Sequence, residues 1–104
     1  MQVRVEATEV FSSWLGGLKN SSAKRRIVSR IDRIAYHGAL MGDCKAIGGG
    51  LVEMRFDTGP GYRVYVSLEN GTLLLLLVGG DKSSQVADIA KARKLLKEWR
   101  TRDA

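Results

Sequence analysis

The chain has 104 residues, of which 44% are hydrophobic, and a formal net charge of +6 at pH 7. This length predicts one domain, residues 1–104, and the hydrophobic content excludes a disordered chain. A single cysteine and a single histidine leave a zinc site short of ligands, exclude an internal disulfide and fit a reducing cytoplasm. The excess of positive charge predicts an anionic partner: nucleic acid, a membrane surface or an acidic protein.

The first half of the chain predicts a strand followed by two helices. Residues 2–7 alternate apolar and charged side chains, which indicates a short strand. Thr8 or Ser12 is suited to cap a short helix, and the Asn-Ser-Ser cluster at 20–22 is suited to cap a longer one that ends at Gly38. The longer helix carries a buried stripe at helical spacing. Its other side is basic, with Lys24, Arg25, Arg26, Arg30 and Arg33.

The second half predicts a meander of strands and a final helix. Residues 51–57 and 62–68 each alternate, and the Thr-Gly-Pro-Gly stretch between them is typical of a turn. Asn70-Gly71 is a strong type I′ hairpin signal. The strand that follows, residues 72–78, is apolar at every position after Thr72, so it should be central and covered on both faces. With Ser83 or Ser84 capping the last helix, the fold class is α+β: an N-terminal strand, a helical hairpin, three or four mostly antiparallel strands and a C-terminal helix.

The hairpin registers place two arginines together. A symmetric loop between residues 57 and 61 sets Arg55 opposite Arg63 on the polar face of the meander. Two cations across a ladder repel each other, so this pair makes sense if an anion binds between them or if Glu53 and Asp57 neutralise them. Tyr65 should lie on the same face, and Lys45, just before the meander, could reach it.

The stretch Val-Gly-Gly-Asp-Lys-Ser-Ser-Gln at 78–85 follows the apolar run. A two-residue turn at 70–71 sets Arg63 opposite Val78, next to Gly79 and Gly80. We expect the two glycines to turn the chain out of the sheet and Lys82 to lie beside the N-terminus of the last helix, a position that favours anions. The plainer interpretation is a tight turn in which Asp81 or Ser83 only caps the helix.

Three segments together resemble a known toxin family. They are Gly-Gly-Gly-Leu-Val-Glu-Met-Arg at 48–55, Gly-Pro-Gly-Tyr-Arg-Val-Tyr at 59–65 and Gly-Gly-Asp-Lys-Ser-Ser-Gln at 79–85. At this spacing the chain resembles the phage-derived Gp49-like, HigB-type addiction module killer proteins of the RelE/ParE toxin superfamily. The resemblance implies a toxin neutralised by a small antitoxin, here a helix-turn-helix protein from the same operon. It extends over nearly the whole chain.

The resemblance also implies an activity. The RelE-like branch cleaves mRNA, usually in the ribosomal A site, and one arginine of its tyrosine-arginine strand contacts the scissile phosphate. Arg63 matches that arginine, while Arg55 and Lys82 match positions where further basic residues occur. Many members carry a tyrosine or histidine in the last helical segment for proton transfer, and this chain has neither after Tyr65.

RNA cleavage by the adjacent 2′-hydroxyl suits a cationic site without metal or other cofactor. Two arginines can offset the charge that develops on the phosphorane. The sequence leaves Lys82 or Lys45 to accept the 2′-proton and Tyr65 to donate to the leaving oxygen. Substrate-binding candidates, besides Lys45, are Tyr62 as a stacking surface and the backbone at Gly79 and Gly80.

Two other functions stay open at this point. A ParE-like protein would inhibit DNA gyrase by binding alone, with both arginines held in salt bridges. A non-enzymatic RNA- or DNA-binding domain would use the same positive charge. We favour RNA cleavage over both, because the cations converge on one corner of the predicted sheet.

Overall fold

The structure is a computed structural model that describes residues 2–102. Its elements follow the predicted order of strand, two helices, meander and final helix. They are β1 (Arg4–Ala7), α1 (Glu9–Gly16), α2 (Ser21–His37), β2 (Cys44–Ala46), β3 (Val52–Phe56), β4 (Tyr62–Glu69), β5 (Leu73–Asp81), a 3-10 turn (Lys82–Ser84) and α3 (Gln85–Arg102).

The five strands form one sheet in the order β1-β5-β4-β3-β2. Strands β2 to β5 are antiparallel neighbours, and β1 runs parallel to β5. Helices α1 and α2 cover one face and α3 covers the other, because β5 is apolar on both sides and must be shielded on both. This arrangement confirms the predicted α+β fold with a central apolar strand. Of the helices described in residues 2–102, none combines the length and the apolar character needed to cross a bilayer.

Local chain chemistry determines where the first two helices begin and end. The Thr8 side chain accepts a hydrogen bond from the Phe11 amide, and the Asn20 side chain accepts one from the Ala23 amide. Gly38 ends α2 with a φ of 75°, in the left-handed region that glycine adopts without strain. The predicted stripe of α2 is buried: Ala23, Ile27, Ile31 and Ile34.

The β4–β5 register differs from the prediction. Asn70 and Gly71 both have positive φ, as a type I′ turn requires, yet the first paired residues are Glu69 and Leu73 rather than Glu69 and Thr72. Farther from the turn, a bulge shifts the pairing by one more residue. As a result, Arg63 lies opposite Gly80, two residues beyond the predicted Val78.

Gly79 and Gly80 do not turn the chain out of the sheet, so that prediction was wrong. Both are paired residues of β5, which continues to Asp81. A Cβ on Gly79 would lie 2.0 Å from Cε3 of Trp14, and one on Gly80 would lie 1.9 Å from Oδ2 of Asp88. The glycines therefore leave room for a tryptophan on one face and a carboxylate on the other. The turn begins after them, where Asp81 caps the 3-10 turn.

Candidate functional site

The two arginines predicted to face each other do so. Arg55 on β3 is paired with Arg63 on β4, on the α3 side of the sheet near the start of that helix. One buried carboxylate lies between them: Oε1 of Glu53 is 2.9 Å from Nε of Arg55 and 3.9 Å from Nε of Arg63. The like charges are thus held together by a shared counter-ion, which leaves one net positive charge in the trio.

Glu53 is the centre of a hydrogen-bond network. Its side chain is 1% exposed, and its second oxygen accepts from the Tyr65 hydroxyl at 3.1 Å and from Nε2 of Gln85 at 2.6 Å. Burial alone would raise the pKa of Glu53, but the hydrogen bonds from Gln85, Arg55 and Tyr65 outweigh it and hold the pKa below its usual value. The carboxylate is therefore ionised at neutral pH and fixed from three directions.

Tyr65 is buried rather than presented to solvent. It is 0% exposed beneath α3, and burial followed by the nearby Glu53 carboxylate raises the pKa of its hydroxyl above the usual value. The sequence placed Tyr65 on the correct face, but alternation could not reveal that α3 covers this part of it. The hydroxyl donates to Glu53, so in this conformation it is not free to donate to a leaving oxygen.

Tyr62 lies on the opposite face from the arginines. It is 9% exposed and packs edge-on against Trp14, with 6.2 Å between ring centroids. This ring is part of the core beneath α1 and α2 and is not an open stacking surface, because even-numbered residues of β4 point to that side.

Three of the predicted cations line one surface groove of about 670 Å³. Arg55, Arg63 and the exposed Lys82 contribute to its walls, and Asp43 and Asp57 also line it. Oδ1 of Asp43 lies 3.8 Å from Nη1 of Arg55. The Nε atom of Arg63 is buried and makes no hydrogen bond within residues 2–102. A phosphate entering this site groove would find guanidinium and ammonium donors together on one side of the sheet.

The remaining predicted residues do not line the site groove. Lys45 is exposed on the edge strand β2, opposite Glu53 in the register and therefore on the same face. Gly79 and Gly80 have their open sides filled by Trp14 and Asp88, which leaves no concave backbone surface for an anion there.

Sequence reasoning missed the structural role of Arg30. Its Nη1 donates to the backbone oxygen of Arg55 at 2.8 Å, and its guanidinium lies 4.0 Å from the centroid of the Phe56 ring. Burial lowers the pKa of Arg30, although the group stays charged at neutral pH. Nothing in the local pattern distinguishes Arg30 from its basic neighbours, because only the docking of α2 against β3 brings it there. Gln85, at the start of α3, is a second contributor from a distant segment, because its Nε2 donates to Glu53.

Comparison with known proteins gives the fold class first. The chain superimposes on a double arginine-to-alanine mutant of the E. coli toxin RelE in its free state, with a TM-score of 0.71 and 11% identity over 90% of this chain and 97% of that one. At this identity the likeness concerns the fold, and the fold is RelE-like. No protein-family model matches the chain.

A sequence relative then gives the family. The chain is 45% identical to an uncharacterized protein of Haemophilus influenzae over 98 residues, which cover 94% of this chain and 97% of the relative. The chain belongs to the same family as that protein.

Proposed function

We propose that this protein is the toxin of a type II toxin–antitoxin pair, of the HigB type, and that it arrests growth by cutting mRNA in the cytoplasm. The observation that carries the proposal is the convergence of Arg55, Arg63 and Lys82 on one groove. The RelE-like fold supports it, since the matched structure is that of a toxin. The ribosome would supply part of the substrate's orientation, so the local chemistry can be simple.

The chemistry needs no outside nucleophile. The 2′-oxygen of one nucleotide attacks its own 3′-phosphorus, the bond to the 5′-oxygen of the next nucleotide breaks, and a cyclic phosphate is left. Arg63 and Arg55 would donate to the non-bridging oxygens as negative charge develops on them. Lys82 is the exposed ammonium group of the site groove, and we assign to it, ahead of Lys45, which lies outside the groove, the donation of a proton to the departing 5′-oxygen. The 2′-hydroxyl gives its proton to water.

Primer extension on cells pulsed with the protein tests this function. New mRNA ends should appear within codons soon after induction, and they should be absent from cells that produce Arg63→Ala at the same level. Intact mRNA accompanied by growth arrest would contradict the proposal.

The partner implied by the proposal is an antitoxin from the same operon, expected to be a helix-turn-helix protein. It would cover the basic surface with acidic and apolar groups. The two proteins should co-purify at physiological salt. We expect a dissociation constant in the nanomolar range or below, which corresponds to about 12 kcal/mol of binding free energy. Failure of the product of the adjacent open reading frame to bind would count heavily against the toxin interpretation.

One observation favours a second function, the inhibition of DNA gyrase by binding. Arg55 is already ion-paired with Glu53 at 2.9 Å and lies 3.8 Å from Asp43, as expected if the arginines are structural. In that case the pulsed cells should lose plasmid supercoiling while their mRNA stays intact. Measuring both in the same cultures separates the two functions.

A further inference from the structure

A second groove lies on the α2 side and is lined mainly by arginines. Its volume is about 410 Å³, and four cations contribute to it against one carboxylate, Asp57. The four are Arg25, Arg26, Arg30 and Arg33. We call it the α2 groove. A concave surface with this excess of one charge concentrates anions from solution.

The α2 groove adjoins the site groove at the end of β3. Phe56 and Asp57, at the end of β3, line both. Arg30 spans the boundary, with its guanidinium over the Phe56 ring and its Nη1 on the backbone oxygen of Arg55. An extended polyanion bound in one groove would reach the other by passing around the end of β3, where Arg30 supplies a cation at the boundary.

The other three arginines are available for a ligand. Arg25, Arg26 and Arg33 are exposed, and no ion pair within residues 2–102 neutralises them. Arg26 and Arg30 are one helical turn apart, about 6 Å along the axis. Neighbouring cations without counter-charges repel one another, and an anion that contacts several of them relieves that repulsion.

We propose that the α2 groove binds phosphates of the RNA strand that flank the phosphodiester in the site groove. This inference rests on the proposed function and adds a subsite for the same substrate. The groove offers guanidinium groups together with the hydroxyls of Ser22 and Ser29, and its aromatic ring is already covered by Arg30. Contacts from such donors to phosphates position the strand and carry no sequence information directly.

Binding of non-cleavable, 2′-O-methylated RNA tests the inference. A trinucleotide fills only the site groove, whereas a dodecanucleotide of the same central sequence extends past it. The variant Arg25→Ala/Arg26→Ala/Arg33→Ala should lose at least tenfold in affinity for the long RNA and little for the short one. The slope of log affinity against log salt for the long RNA should fall by about 2, since each phosphate contact on a single strand contributes roughly 0.7.

A matched control removes the same charge from α3, on the side of the sheet opposite the α2 groove. Lys91, Lys94 and Lys97 are exposed on α3, and their triple alanine variant should change long-RNA binding much less. Equal losses in the two triple variants would overturn the inference, because only net charge would then matter. So would unchanged RNA binding with lost binding of an acidic antitoxin, which would make the α2 groove a protein-docking surface. The absence of new mRNA ends in cells producing the wild type is a separate result that counts against the proposed function itself.

Discussion

The two faces of the sheet are covered by helices but differ in what lies between helix and sheet. Beneath α1 and α2 the contact is a continuous apolar core that includes Phe11, Ile27 and Val64. Beneath α3 the contact is apolar near the leucines of β5 and becomes polar toward the start of the helix, where Glu53 and Gln85 meet.

This difference shows how a small domain can hold a charged site without losing its core. The face under α1 and α2 supplies hydrophobic stabilisation along its whole length. The face under α3 ends in a hydrogen-bond network, in which the Glu53 carboxylate accepts from Tyr65 and Gln85. The same carboxylate binds Arg55 and lies close to Arg63. Substitutions on the first face should therefore affect stability, and substitutions at the polar end of the second should mainly affect activity.

The largest expected effect is on stability, at Gly79. Gly79→Ala should destabilise the fold by about 3 kcal/mol or more, because the added Cβ meets the Trp14 ring, which Phe11 and Tyr62 hold in place. Gly80→Ala is the matched control on the other face, where the obstacle is the end of the flexible Asp88 side chain, and it should cost less. Denaturant unfolding measures both. Equal costs would contradict the proposed difference between the faces.

The next effect is on activity, at Arg63. Arg63→Ala should lower RNA cleavage about a hundredfold or more, the loss typical when one donor to a developing negative charge is removed. The melting temperature should stay near that of the parent, because the change also removes the repulsion with Arg55. Lys91→Ala removes the same charge from exposed α3 surface and should leave cleavage unaffected. Undiminished growth arrest by Arg63→Ala would rule out the proposed site.

Glu53 links the two effects. Glu53→Gln should cost about 2 kcal/mol at neutral pH, because charge-assisted hydrogen bonds become neutral ones, and it should also reduce cleavage by loosening both arginines. The folded-state pKa of Glu53 is lowered, so its ionisation stabilises the fold above its unfolded pKa of about 4.3. That contribution is lost as the pH falls through the folded-state pKa.

Stability measured against pH checks this prediction. The gap between wild type and Glu53→Gln should be widest at neutral pH and should narrow in acid. Glu69→Gln is a matched control, since Glu69 binds Arg100 at the far end of the same face. It should show the same acid trend without a loss of cleavage. A pH-independent gap for Glu53→Gln would show that the carboxylate charge is not what stabilises the network.

The smallest effect is expected at Lys82. Lys82→Ala should change stability by no more than about 0.5 kcal/mol, since the side chain is exposed. It should lower cleavage about tenfold, equivalent to roughly 1.4 kcal/mol of barrier. Lys82→Arg should retain more activity than alanine if the role is electrostatic, and as little as alanine if Lys82 transfers a proton, because arginine does not deprotonate. Full activity in Lys82→Ala would show that residues 81–85 serve only to form the turn and cap α3.

Local signals in the sequence predicted much of the fold. Alternation and helical spacing predicted the order of the elements, and the apolar run predicted a strand covered on both faces. The candidates Thr8 or Ser12 and the Asn-Ser-Ser cluster at 20–22 indicated where the first two helices begin, and the structure has Thr8 and Asn20 as the caps. The short loop between β3 and β4 was enough to predict that Arg55 faces Arg63. These features depend on residues near one another in the chain, so the sequence alone determined them.

Features that depend on distant contacts were decided only by the tertiary structure. The turn after Glu69 and the bulge in β5 each moved the pairing of Arg63 by one residue, from Val78 to Gly80, and the docking of α3 buried Tyr65 and brought Gln85 onto Glu53. Gly79 and Gly80 looked like a turn because glycine favours turns, yet they lie in a strand that needs space for Trp14 and Asp88. Local conformational propensity determines which helices and strands form. The volume and charge of side chains from distant segments determine the register of the strands, the burial of their residues and the shape of the site.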